Sequence, residues 1–163
     1  MLISHELSPI YDKNSKILIL GSIPSVKSRE AHFYYAHKNN RFWKIIEIIF
    51  NVKLNCQEEK IAFLHNNNIA LWDVFKECEI FLSSDSSIKN YKLNDLSIIL
   101  KNCKIKAIFC TGKKAYDTLA KNFDSSIPII YLPSPSSANA SYNLETLVTK
   151  YKIILSYLKK EEN

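Results

Sequence analysis

The chain has 163 residues, 47% of them apolar and only two of them glycine, which is enough to bury one full hydrophobic core and too apolar for a disordered or linker-rich protein. Its formal net charge of +6 is spread along the sequence rather than gathered in a tail, so a polyanionic partner would be met by folded surface. There is no apolar run of about 18 residues and no basic segment leading into an apolar one at the N-terminus, so the expectation is a single, soluble, unexported domain over residues 1–163, cytoplasmic and monomeric, with no membrane contact.

The first apolar run, Lys16-Ile-Leu-Ile-Leu20, ends at Gly21 and reads as a buried parallel strand emptying into a loop at its carboxyl end. That rim is where open α/β sheets place ligands. The loop from Gly21 to Trp43 concentrates polar, aromatic and basic groups. It leads into a predicted helix over 40–50, where Phe42, Ile45, Ile46, Ile49 and Phe50 recur at helical spacing and Asn39 or Asn40 is placed to cap the first turn. A second helix is expected over 57–65, followed by the strand Ile69-Ala-Leu-Trp-Asp73. Leu82–Asn90 is polar and small and reads as a surface loop. Helices over 94–102, behind Asn94, and over 112–123 flank the strand Lys106-Ala-Ile-Phe-Cys110, and Ile127-Pro-Ile-Ile-Tyr-Leu132 is the fourth strand-length run. From Asn143, read as its cap, Leu144, Leu147, Val148, Tyr151, Ile154, Leu155 and Leu158 mark a closing helix. The alternation is that of an α/β protein with a parallel sheet.

Parallel order gathers the carboxyl ends of all four strands on one rim, so Gly21–Pro24, Trp72-Asp73, Thr111–Lys114 and Pro133–Ala140 converge. The last segment sets short hydroxyl and amide side chains on a proline-stiffened loop, a composition suited to phosphate oxygens. Glycine-rich dinucleotide and nucleoside-triphosphate loops are absent, as is a Gly-x-Ser-x-Gly elbow. Cys56, Cys78, Cys103 and Cys110 form no Cys-x-x-Cys pair, and His5, His32, His37 and His65 have no His-x-x-x-His spacing, so no metal and no cofactor is expected.

Gly21-Ser-Ile-Pro24, Tyr34-Tyr-Ala-His37, Asn40-Arg-Phe-Trp43, Ala70-Leu-Trp-Asp-Val74 and Leu132-Pro-Ser-Pro-Ser-Ser-Ala-Asn-Ala140 together resemble the uracil-DNA glycosylase superfamily. The similarity is greatest to its hypoxanthine (deoxyinosine) DNA glycosylases and extends from about His5 to Leu158. Asn-Arg-Phe-Trp and Leu-Pro-x-Pro-Ser are also similar to the mismatch-specific uracil glycosylases. The resemblance implies a three-layer α/β/α sandwich with a four-stranded parallel sheet. It also implies a cofactor-free hydrolase of base excision repair that cleaves the N-glycosidic bond of hypoxanthine, uracil or xanthine in DNA after flipping the nucleotide out of the duplex.

Against other members of that superfamily, two groups are replaced. Ile23 stands where several families carry a water-orienting Asp or Asn, and Leu132 stands where a His often meets the uracil carbonyl. The hypoxanthine family is similar in lacking both, and the resemblance then gives the catalytic duty to Asn40. An amide oxygen can orient water or stabilise an oxocarbenium-like sugar but cannot take the water's proton, which implies slow turnover and reliance on leaving-group stabilisation. By the same resemblance Tyr35 stacks on the flipped base, and Gly21, Ser22, Ile23, Pro24 and Trp72 or Asp73 surround it. Ser25, His37, Lys113, Ser134, Pro135, Ser136, Ser137 and Asn139 fall where DNA would be contacted. Ordinary roles stand beside these: Asn40 as a helix cap, Tyr34, Phe42 and Trp43 as packing, Asp73 as a turn cap, the serine-rich segment as a surface loop. A lesion binder without hydrolysis and an unrelated nucleoside hydrolase are the other functions this pattern admits.

Overall fold

A computed structural model describes residues 2–4, 7–79 and 87–159. In chain order the elements are β1 (Leu2–Ser4), β2 (Ile17–Gly21), α1 (Val26–Ala31), α2 (Phe42–Phe50), α3 (Gln57–Asn66), β3 (Ile69–Asp73), β4 (Phe75–Glu79), β5 (Lys89–Leu93), α4 (Ser97–Leu100), β6 (Ala107–Thr111), α5 (Lys113–Asn122), β7 (Ile129–Leu132), α6 (Leu144–Tyr151) and a 3₁₀ turn over Lys152–Tyr157.

The expected four-stranded parallel sheet is present, with strand order β3-β2-β6-β7. The inner runs of β2 and β6 are apolar along their whole length because helices cover both faces, and the edge strand β3, bridged on its outer side by Ile10, is as well: Ile17–Leu20, Ala107–Cys110 and Ile69–Leu71 are fully buried. β7 lies at the other edge, and there the pattern relaxes, with Tyr131 43% exposed. α3 packs on β3, α5 on β6 and β7, and α2 against α6. The architecture is the α/β/α sandwich anticipated.

The chain leaves β2 to one side to form β3 and later returns on the other side as β6. β2 and β6 therefore flank the point where strand order reverses, the crevice in which open α/β sheets bind ligands. Gly21 ends β2 and Thr111 ends β6.

Several local expectations change. The predicted helix over 94–102 is a single turn, Ser97–Leu100. Asn94 is occupied elsewhere, its amide donating to the carbonyls of Asp73 at 2.9 Å and Phe75 at 3.4 Å, while Asp95 Oδ1 accepts the Ser97 N–H at 3.0 Å. The closing helix starts at its Asn143 cap, whose side chain accepts from Thr146 N–H at 2.8 Å, but after Tyr151 it tightens to 3₁₀ geometry. A second sheet, β1-β4-β5, is antiparallel and was not anticipated. The predicted loop at Leu82–Asn90 falls partly outside the described residues, and its end, Lys89 and Asn90, belongs to β5. Within the Gly21–Trp43 loop, α1 forms because Ser25 Oγ accepts the Ser28 N–H at 3.2 Å.

Candidate active site

A cavity of about 130 Å³ opens at the β2/β6 crevice. It is close to the roughly 150 Å³ that admits one benzene-sized ring. Gly21, Ser22, Ile23, Pro24 and Ser25 form one wall, Tyr35 and Asn40 another, Ser134, Pro135 and Ser136 a third, and Asp73 and Thr111 lie at the strand ends.

Gly21 and Asp73 are partners in the parallel β2/β3 register. A Cβ on Gly21 would lie 2.5 Å from Asp73 Oδ1 and 3.1 Å from the Tyr35 hydroxyl, so only glycine lets the carboxylate and the phenol close over the strand end. The main-chain carbonyls of Gly21 and Ser22 accept from Val74 N–H at 2.8 Å and Phe75 N–H at 3.0 Å, which locks the first motif to the chain following Asp73. Asp73 is only 4% exposed. Its negative charge, after burial, helps hold the neighbouring Tyr34 phenol far above its ordinary pKa, so Tyr34 stays protonated and donates to Ser8 O at 2.9 Å.

Tyr35 is fixed from both ends. Its ring stacks on Phe42 with centroids 4.0 Å apart and planes 13° from parallel. Its hydroxyl lies 2.9 Å from Thr111 Oγ1, and Thr111 Oγ1 in turn donates to Leu20 O at 3.3 Å. A threonine hydroxyl has one proton, so in this arrangement Tyr35 is the donor. The residue also holds a left-handed backbone, φ 53°, at a cost of about 1–2 kcal/mol for a bulky side chain. The loop is pinned beside it by Ala36 N–H donating to the buried Ser28 Oγ at 3.0 Å.

Asn40 lines the cavity and also caps α2, Oδ1 accepting the Phe42 N–H at 2.9 Å. A carbonyl oxygen has two acceptor sites, so capping leaves one for a water. The amide can therefore hold a nucleophile by its proton without removing that proton.

The other sequence-predicted residues divide. Trp72 points away from the cavity: it is buried, and its indole N–H donates to Leu7 O at 3.2 Å, since successive strand residues face opposite ways and Asp73 takes the cavity side. His37 does not line the cavity; its Nδ1 accepts the Asn39 N–H at 3.0 Å. Lys113 is exposed at the start of α5 and Ser137 is exposed in its loop. Asn139 supports that loop from within, its amide donating to Ser134 O at 3.1 Å. Leu132 is buried and Ile23 half-buried, both apolar where a polar group was considered.

Thr111, expected at the rim only as part of the Thr111–Lys114 segment, lines the cavity, and Ser28 and Tyr34 join it without having been singled out for it. Among the described residues no group of three or more His, Cys, Asp and Glu side chains gathers to hold a metal, and no helix is long and apolar enough to cross a membrane.

A crevice at a parallel-sheet switch point, walled by an amide, a stacked tyrosine and a serine-proline loop, is the ligand site of an α/β/α sandwich. Residues 8–159 match the uracil DNA glycosylase superfamily. The chain is 34% identical over 147 residues to a hypoxanthine DNA glycosylase of Methanosarcina acetivorans, covering 87% of this chain and 92% of the relative. It is 36% identical over 110 residues to a hypoxanthine DNA glycosylase of Methanosarcina barkeri, covering 66% and 70%. A solution NMR structure of a Methanosarcina acetivorans protein, described as a candidate uracil DNA glycosylase, superposes with a TM-score of 0.77 at 30% identity over 95% of this chain and 99% of that one. The chain belongs to the uracil DNA glycosylase superfamily. Its class is that of a DNA glycosylase, a hydrolase of N-glycosyl bonds.

Proposed function

We propose that the protein excises hypoxanthine from DNA, with xanthine and uracil as further substrates, by hydrolysing the N-glycosidic bond of a nucleotide flipped into the β2/β6 cavity. The observation that carries this reading is the pairing of a buried carboxylate, Asp73, with the Tyr35 platform across a cavity of about 130 Å³. Hypoxanthine presents an N1–H donor beside its O6 acceptor. In this reading a carboxylate accepts that N–H, while Ser22 and the Gly21–Ser22 backbone, which line the cavity, donate to the oxygen. Adenine offers a lone pair at the same ring nitrogen, which a carboxylate repels. Uracil and xanthine share the N–H next to a carbonyl, which is why the same pocket suits them.

In this reading Tyr35, backed by Phe42, stacks on the base, and Asn40 holds the water that adds to C1′ as the bond to the base breaks. The electron pair leaves with the base, which is then protonated, giving an abasic site and free base. Asn40 accepts from the water but does not deprotonate it, so the reaction depends on leaving-group stabilisation. Ser25, His37, Lys113 and the Ser134–Asn139 loop serve the phosphates, and the loop's small residues enter the gap only shallowly. Flipping costs a few kcal/mol and costs least at mispaired sites, which adds selectivity.

The test is base release from oligonucleotides carrying one inosine, uracil or xanthine, paired and unpaired, scored by alkali cleavage of the abasic product. Inosine strands are expected to be cleaved. Intact strands throughout would overturn the reading, and salt-sensitive binding to inosine DNA without product would instead establish a lesion binder, the alternative that Ile23 in the first motif favours.

A further inference from the structure

Arg41 joins the two halves of the site. Its backbone N–H donates to Pro135 O at 3.0 Å and its Nε to the same oxygen at 3.3 Å. One terminal nitrogen donates to Ser136 O at 2.7 Å and to Asn139 O at 3.1 Å, and the other donates to Tyr142 O. A guanidinium offers its N–H donors in a rigid planar fork. Here every one of these acceptors is a main-chain carbonyl of one loop, and none is a carboxylate.

That loop contains two prolines, Pro133 and Pro135, and shapes its own turns through short side chains. Ser136 N–H donates to Ser134 Oγ at 3.2 Å, Ala138 N–H to Ser136 Oγ at 3.2 Å, and the Asn139 amide to Ser134 O at 3.1 Å. Tyr151 ties its beginning to the body, donating to Pro133 O at 2.6 Å. Along the rest of its length Arg41 gathers the carbonyls, which turns their negative ends toward the guanidinium.

Arg41 directly follows Asn40, and the Asn40 side chain accepts from the residue after Arg41. The loop wall of the cavity and the amide wall thus meet on one residue. We propose that Arg41 is a positioning residue through which the Pro133–Tyr142 loop sets the placement of Asn40 against the bound base. This rests on the glycosylase reading of the same site. Lysine cannot replace it, because a compact ammonium lacks the fork that reaches four separated carbonyls.

The experiment compares wild type, Arg41→Lys, Asn40→Ala and the double variant in single-turnover base release from an inosine duplex, at enzyme concentrations that saturate the DNA. Arg41→Lys is expected to lower the maximal rate roughly 10- to 100-fold, the loss that misplacement of a reacting group by about 1 Å produces. In the Asn40→Ala background the same substitution is expected to cost little more, since a residue acting through Asn40 has nothing left to position. If Asn40→Ala alone falls below detection, the split between maximal rate and DNA affinity for Arg41→Lys decides, a loss confined to the maximal rate supporting the proposal. Circular dichroism confirms that each variant is folded, and Arg41→Gln replaces Arg41→Lys if that protein is not. A maximal rate equal to wild type, a loss confined to DNA affinity, or a full additive loss in the Asn40 background would each overturn the proposal. No release by wild type would overturn the glycosylase reading instead, so the two failures are separable.

Discussion

Gly21→Ala tests whether the cavity depends on the close approach of Asp73 to the first motif. Nothing in the backbone forbids alanine there, and the cost is steric. The added methyl would sit 2.5 Å from Asp73 Oδ1 and 3.1 Å from the Tyr35 hydroxyl. The carboxylate oxygen would have to retreat by about 0.9 Å to reach ordinary van der Waals separation. It has little room, because Asp73 is 4% exposed and its own carbonyl is held by Asn94. Overpacking of this kind costs about 1–3 kcal/mol, which for a chain of this length lowers Tm by roughly 2–12 °C. If Asp73 reads the base as proposed, its displacement by nearly 1 Å should also reduce single-turnover release from inosine DNA by up to about 100-fold. The decisive assay is thermal unfolding of Gly21→Ala alone and together with Asp73→Ala. Removing the carboxylate removes the clash, so the alanine should cost at least about 1 kcal/mol less in the double variant. Equal cost in both backgrounds would refute the steric argument.

Asn40→Ala should lose about 0.5–2 kcal/mol of stability through the cap and also lower base release at saturating enzyme, whereas Asn40→Asp should keep the cap and introduce a rate that falls in acid as the new carboxylate protonates, read from single-turnover pH profiles. Tyr35→Phe and Thr111→Val each break the hydroxyl pair and should cost about 0.5–1.5 kcal/mol in denaturant melts, with no further loss when combined. Burial pushes the Cys110 thiol from 9.0 up to about 12, so the unfolded chain releases this proton first and stability should fall as pH rises through that window, by about 1.4 kcal/mol per pH unit for this group. Cys110→Ala should flatten that slope in urea melts taken across the same range, and an unchanged slope would show that Cys110 is not its source.

Which elements could be read beforehand follows from how each is buried. β2, β3 and β6 lie under helices on both faces, so their apolar character is continuous and visible without any partner. β4 and β5 carry Lys76, Glu77, Glu79, Lys89 and Lys92 with only scattered buried positions, and their pairing supplies what their composition does not. α1 has no apolar stripe to announce it, and its start is set by one serine side chain. Trp72 and Asp73 show a signal that was available and missed. Adjacent strand residues face opposite sides, so no more than one of the two could line a cavity on the Gly21 side.

Asn40 and Arg41 mark the boundary between what composition can suggest and what only the fold supplies. The cap role of Asn40 is local, acting two residues ahead, and a pattern of Asn before helical apolar spacing points to it. Arg41 makes its contacts with residues 94 to 101 positions further on, and no periodicity near Arg41 encodes them. The same separation explains why a substitution at either end should be felt at the other. The loop's carbonyls have exchanged water for one guanidinium, and a charged group satisfied by main-chain acceptors holds position only while all of them remain in place. On the proposed reading, placement then answers for the carboxylate that Ile23 does not supply: a weak amide catalyst gains most from being held still, and Arg41, bonded to four carbonyls of the loop, is the neighbour through which it would be held.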